Sequence, residues 1–198
     1  MIMNTSSVGV CRCLVHVPVA HFNPVVECCV VYGSGKVVVM GMVSPAVEEQ
    51  VQLATGWVRL HRSYIKTTLN VEAFKIELPL PADRDLIIHV SPGSAGAWKN
   101  QTLGGAISIA LVSMMTGLLP KADMAVAGEL CGCTGVLGNI VISAGSSLWS
   151  SISGLQGIQR VVLGRRSAEE IRTEAIEHGV TAIGVDDIAS ALSGVFND

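Results

Sequence analysis

Thr102 is the first residue whose type and placement could do chemistry. It sits in the glycine-hinged turn of the stretch WKNQTLGGAISIALVSMMTG (98–117), which then runs on as a very apolar helix. Enzymes often place a nucleophile at such a turn, and an alcohol there attacks only when a base removes its proton. A lysine serves as that base if it is partly desolvated and its pKa falls. Lys99, three residues upstream, is the lysine nearest in sequence, but an exposed loop lysine keeps a high pKa. Ser94, in PGSAG, is a second hydroxyl, placed in the preceding loop. The methyl group of Thr102 crowds its oxygen, and threonine nucleophiles usually use their own terminal amine as base. The polar groups around this turn are too few for catalysis.

Four other groups carry candidate chemistry. His89, at the end of a strand, reads as a hydrogen-bonded structural histidine. Glu129, beside Gly128, reads as a partner for backbone or an arginine, because a lone carboxylate without a second acid or a metal does little chemistry. Asp186 and Asp187 read as caps of the final helix, with no metal role. GSGK (33–36) looks like the tail of a phosphate-binding loop. That motif needs an earlier glycine, a Ser or Thr after the lysine, and a helix. Here Lys36 leads into a valine run, so the segment reads as a hairpin turn. The cysteines fall as Cys11/Cys13, Cys28/Cys29 and Cys131/Cys133. Two C-x-C pairs could build a four-sulfur zinc site, but the usual spacing is C-x2-C and adjacent Cys28 and Cys29 point to opposite faces. They read as reduced thiols acting as small core hydrophobes. No cofactor and no metal is expected.

The elements that must position these groups follow from periodicity. Residues 8–17 and 24–32 are Val- and Cys-rich and read as strands, the second joined by GSGK to 37–41. Ser44-Pro45 starts a helix, and Val47, Val51, Ala54 and Val58 continue it at helical spacing over 45–63. FKIELPL (74–80) alternates as a strand, and DLIIHV (85–90) is another, ending in the SPGSAG loop. A helix over about 102–116, a break at TGLLPKAD, and a strand pair around MAVAGELCGCTGVLG follow. Residues 143–156 carry Leu148, Trp149, Ile152 and Leu155 at helical spacing. RVVLG is a short buried strand, SAEEIRTEAIEHG a capped helix closed by Gly179, and VDDIASALSGVF a final helix. With 198 residues, 49% hydrophobic and 15% charged, the chain can bury a large core as one α+β domain. A formal net charge of −3 with scattered Lys and Arg argues against nucleic acid as main partner. No apolar run reaches the roughly 18 residues of a membrane span, and the start lacks the pattern of a signal peptide. An intracellular protein, of cytoplasm or organelle matrix, is expected.

Several of these segments, in order, resemble the proteolytic domain of Lon, the ATP-dependent protease. GSGKVVVMGMVSPAVEEQVQLATGWVR is similar to that family's strand, glycine and helix, and IIHVSPG to its strand ending in a histidine and a Pro-Gly loop. ALVSMMTGLLPKADMAVAGELCGCTGVLG resembles the family's ALVSALTG…RADVAMTGEI…G.VLPIGG. GIQRVVLG…EEI and DDIASAL resemble its closing strand and helices.

The resemblance implies an α+β fold of the ribosomal protein S5 domain 2-like class, with mixed small sheets packed with helices, over a single domain spanning 1–198. It also implies a Ser-Lys dyad for peptide cleavage. Counting back from ALVSMMTG places the nucleophile at Thr102. Counting forward from GEL places the lysine between Ser143 and Ser147, in SAGSS, and Lys121 is the last lysine of the chain. Arginine cannot replace it, because it stays protonated. Ala127 stands where the family has a threonine before GE, while His89 and Glu129 remain. The expectation is a non-catalytic Lon-like domain, a structural or protein-interaction module. The rival is an active endopeptidase with a rearranged dyad of Thr102 or Ser94 with Lys99. Lon domains assemble as six-membered rings, so a homo-oligomer or larger assembly is implied. No segment resembles the family's ATPase module, so energy-dependent unfolding would have to come from a partner or from a part of the gene product not in this chain.

Overall fold

Short β-branched runs build the first sheet. The structure is a computed structural model that describes residues 7–13, 24–41, 43–91, 102–140 and 157–196. β1 (Val10–Arg12), β2 (Val25–Tyr32), β3 (Val37–Gly41) and, after two helices, β4 (Arg84–Ser91) lie in the order β1-β2-β4-β3. The strand expected over 8–17 is thus three residues long with a single further bridge from Cys13 to Val126; residues 14–17 fall outside the described part.

The hairpin expected at GSGK is not formed. β4 lies between β2 and β3, antiparallel to the first and parallel to the second. The loop therefore crosses the start of β4, and a side chain there holds it. Asp85 Oδ1 accepts the backbone N–H of Ser34 at 2.7 Å and of Lys36 at 2.8 Å. The amides of Lys36 and Ser34, in that order, hold the Asp85 carboxyl below its ordinary value. A Cβ on Gly33 would stand 2.0 Å from Asp85 Cγ, so only glycine lets the chain pass.

α1 (Pro45–Leu60) begins where Ser44 Oγ accepts the N–H of Val47 at 3.3 Å. Its buried stripe is Val47, Gln50, Val51, Ala54, Trp57 and Val58. The helix stops three residues before the expected end. His61 caps it, donating its N–H to Trp57 O and stacking on the Trp57 ring with centroids 4.9 Å apart. A second helix not foreseen in the sequence, α2 (Arg62–Thr68), follows. FKIELPL forms no strand either. Its alternation is real, since Phe74, Ile76, Leu78 and Leu80 pack on the core. However, Lys75 and Ile76 donate their N–H groups to Met115 O, and Pro79 and Pro81 have none to give a ladder.

α3 (Gly104–Thr116) is buried along its whole length. It packs on α1, on β1 and β2, and on the elements that follow it. β5 (Met124–Val126) does not pair with the next strands as expected. β6 (Leu130–Cys131) and β7 (Val136–Leu137) form their own two-stranded ribbon. β5 instead joins a parallel sheet with β8 (Arg160–Gly164) and β9 (Thr181–Val185), in the order β5-β8-β9. α4 (Arg165–Glu177) and α5 (Ile188–Phe196) cover opposite faces of it. Val126 and Val162 belong to the main core with α3 and α5, while Ala125, Val161 and Leu163 pack on Ala168, Ile171 and Ala175 of α4. A parallel sheet buried on both faces gives this pattern.

Three smaller readings also change. Ser167 does not cap α4, which starts at Arg165; its buried hydroxyl accepts the N–H of Ile140 at 2.8 Å. Asp187 caps α5 through the N–H of Ser190 at 2.7 Å, but Asp186 binds Arg165 with two hydrogen bonds of 2.7 and 2.5 Å. Only Cys11, Cys13 and Cys28 are core residues; Cys29, Cys131 and Cys133 are exposed, and none of the six is in a disulfide. Cys29 follows an inward-facing neighbour on β2 and so faces out, and the other two flank Gly132 near the ribbon tip. The helical reading of 143–156 falls on residues that are not described. No helix among the described residues is long and apolar enough to cross a membrane.

Candidate functional site

Thr102 and Leu103 form the turn that launches α3. Leu103 occupies the cap position and offers no side-chain cap. The turn is held by backbone instead. Gly128 donates its N–H to Thr102 O at 3.0 Å and accepts the N–H of Gly105 at 3.0 Å. The second partner of Thr102 O is a thiol, Cys13 Sγ, at 3.8 Å. Gly128 has φ +143°, and a Cβ there would come 2.4 Å from Leu137 Cγ. Gly104 is equally constrained: a Cβ would lie 2.0 Å from Gln50 Oε1. Small residues at 104, 105 and 128 let α3 approach the β5–β6 segment at backbone distance.

Within this clamp Thr102 Oγ1 is buried and takes no hydrogen-bond partner among the described residues. An alcohol with no acceptor for its proton is a weak nucleophile. The lysines of the described part lie elsewhere. Lys75 donates its N–H to Met115 O and its stem touches Gly117, at the far end of α3, roughly 20 Å along the axis from Thr102 at 1.5 Å per residue. Lys66 stands over the Phe74 ring at 5.4 Å. Lys121 donates its N–H to Val195 O at the end of α5, and Lys36 belongs to the loop on Asp85. Ser94, Lys99 and the Ser143–Ser147 segment are not among the described residues.

Neither His89 nor Glu129 hydrogen-bonds Thr102 Oγ1. On β4, Leu86, Ile88 and Val90 face the core beneath α3, so His89 faces the other side of the sheet. There its Nδ1 lies 3.0 Å from Glu27 Oε2, its antiparallel neighbour in register. Glu129 follows the Gly128 clamp, and its carbonyl accepts the N–H of Gly138 at 2.7 Å. Burial, and then the charge of Glu49, push its carboxyl above the ordinary glutamate value. Ala127 is fully buried and joins the parallel sheet through its N–H to Val162 O at 2.9 Å. Among the described residues no three His, Cys, Asp or Glu side chains converge as metal ligands.

Sequence reasoning missed the residue that braces this site. Gln50 is buried, and its amide spans from α1 to the backbone of Leu130, two residues past Gly128. The signal was present: Gln50 interrupts the apolar stripe of α1 between Val47 and Val51, and a polar residue in a buried stripe must find a partner.

Comparison with known proteins agrees with this architecture. Residues 1–196 match the family described as Lon protease (S16) C-terminal proteolytic domain. The chain is 27% identical over 167 residues to "Lon protease homolog 2, peroxisomal" of Caenorhabditis briggsae, covering 81% of this chain and 19% of that protein. It is 28% identical over 170 residues to "Lon protease" of Paraburkholderia phytofirmans, covering 85% of this chain and 19% of the relative. For "Lon protease 4" of Sorangium cellulosum the identity is 27% over 197 residues, covering 98% and 23%. The chain thus spans about a fifth of the length of these curated relatives. With the family matched over nearly all its residues, the chain belongs to the Lon protease C-terminal proteolytic domains.

Proposed function

We propose that this chain is a non-catalytic Lon-type domain, serving as a structural or protein-interaction module in a homo-oligomer or larger assembly. The observation that carries this reading is the fate of the dyad. The nucleophile position of the resemblance falls on Thr102, whose buried oxygen has no partner among the described residues, and no lysine follows Lys121 in the sequence. A Ser-Lys peptidase needs a lysine amine at the hydroxyl to accept its proton. The segment from Ser143 to Ser147, where the resemblance puts that lysine, reads SAGSS. The turn, its glycine clamp and the α3 core support retention of the scaffold without the chemistry.

The same reading assigns residues 1–198 to one domain of the ribosomal protein S5 domain 2-like class, working without a cofactor. Any ATPase module would come from a partner or from a part of the gene product beyond these residues. Exposed apolar side chains such as Tyr32 (78% exposed) and Leu60 (70%) are surface that a protein partner could cover. An intracellular location fits, in cytoplasm or organelle matrix; the nematode relatives carry the word peroxisomal in their names.

The test is direct. The protein is treated with a serine-directed covalent probe and incubated with casein, with Thr102→Ala in parallel. The expected result is no adduct at Thr102 or Ser94 and no cleavage. Casein cleavage that disappears in Thr102→Ala or Lys99→Gln would instead establish the rearranged dyad.

A further inference from the structure

A second site lies away from Thr102, under the GSGK loop. A cavity of about 150 Å³ opens between that loop, the outer turns of α1 and the 78–80 segment, with Leu86 of β4 as its floor. Its walls have two characters. Leu78, Leu80, Val37 and Leu86 supply an aliphatic side, with Leu78 and Leu86 buried. Lys36, Arg59 and Thr55 supply the polar side. Thr55 and Arg59 are four residues apart on α1 and so share a face.

The cationic side is not neutralised from within the described chain. Arg59 and Lys36 make no ion pair among the described residues. The charge of Lys36 acts on the Asp85 carboxyl, whose Oδ1 already accepts the N–H groups of Ser34 and Lys36. Two cations at the rim of an aliphatic hollow match a group that is anionic at one end and apolar at the other. The volume corresponds to about five water molecules at roughly 30 Å³ each, which is room for a short branched body and not for a nucleotide.

We propose that this cavity binds a monocarboxylate joined to a compact aliphatic body. Arg59 and Lys36 hold the carboxylate, while the body lies on Leu78, Leu80 and Leu86. Free branched short-chain acids and the C-terminal leucine of a peptide share this chemistry. The site is independent of the reading of Thr102.

The experiment titrates the intact protein with 4-methylpentanoate, with its neutral amide, and with an acetylated tripeptide ending in leucine as free acid or as amide. Binding is followed by calorimetry and by amide chemical shifts. The expected result is saturable binding of an acid with Kd in about the millimolar range, as suits so small a ligand. Shifts should be confined to the 35–37, 55–59 and 78–86 segments. Each amide should bind at least about tenfold more weakly, and Arg59→Gln and Lys36→Gln should each weaken the acid. Binding of the free acid alone, or of the peptide acid alone, identifies the source. Absence of saturation by both acids, equal binding of acid and amide, or indifference to both cation substitutions would overturn the proposal. Arg59 and Lys36 are exposed, so their variants keep the fold and the comparison.

Discussion

The side-chain amide of Gln50 stands in for a missing strand beside Leu130, accepting its N–H at 2.7 Å and donating to its carbonyl at 3.4 Å. It thereby fixes the segment that carries Gly128 against the start of α3. Gln50→Leu would leave two buried backbone groups without partners, at about 1–3 kcal/mol each when fully desolvated. The expected outcome is a loss of roughly 2–4 kcal/mol in urea unfolding, with Gln50→Glu no better at neutral pH. An unchanged midpoint would show that water replaces the amide.

Thr102 invites the opposite substitution. Its hydroxyl is buried and unbonded, so Thr102→Val should raise stability by up to about 1 kcal/mol, measured by thermal melting. On the proposed non-catalytic reading, Thr102→Ser is expected to be inert toward casein, because no lysine follows Lys121 to act as base. A loss of stability in Thr102→Val would mean that the hydroxyl has a bonded partner.

The thiols divide by burial. Desolvation pushes Cys11 up to about 12 and raises Cys13 and Cys28 strongly as well, and a thiol without thiolate does not react. Titration of the native protein with a chromogenic disulfide should give three fast equivalents, from Cys29, Cys131 and Cys133. The other three should appear only in denaturant. Six fast equivalents would show that the first sheet opens.

Acid should loosen the parallel sheet at its Asp123 corner. Asp123 takes two hydrogen bonds from Arg160, at 2.9 and 2.6 Å, and the guanidinium holds its carboxyl below the ordinary value. A depressed carboxyl stabilises the fold above its unfolded pKa, and that contribution is lost as pH falls through the folded value. Asp123→Asn should therefore cost about 1 kcal/mol near neutral pH, with the gap to the parent closing below about pH 4. A gap independent of pH would assign the cost to packing.

What the sequence disclosed followed from periodicity and from end signals. The Ser44-Pro45 start, α3, β4 and β8 were legible because each carries a clear end signal or is an unbroken apolar run with a clear stop. Pairing was not legible. GSGK reads as a hairpin by local chemistry, and only Asp85, forty-nine residues after Lys36, makes it a crossing loop. FKIELPL has the alternation of a strand but spends its N–H groups on the end of α3. β9 escaped notice because Gly184 breaks its short run; a Cβ there would lie 3.1 Å from Arg165 Cα. At the site, Thr102 was placed by counting along the chain; Gln50 betrayed itself only as a polar break in the apolar stripe of α1, and the partner of either Gln50 or Gly128 is encoded by no local pattern.

α3 has no face toward water. All thirteen residues from Gly104 to Thr116 are buried, and their packing partners come from both sheets, α1 and α5. In a deep mutational scan such a segment has no tolerant register: the periodic relief that marks an ordinary surface helix, with every third or fourth position silent, should be absent. Sequence drift in this chain is consequently expected outside α3, in segments that keep a face toward water.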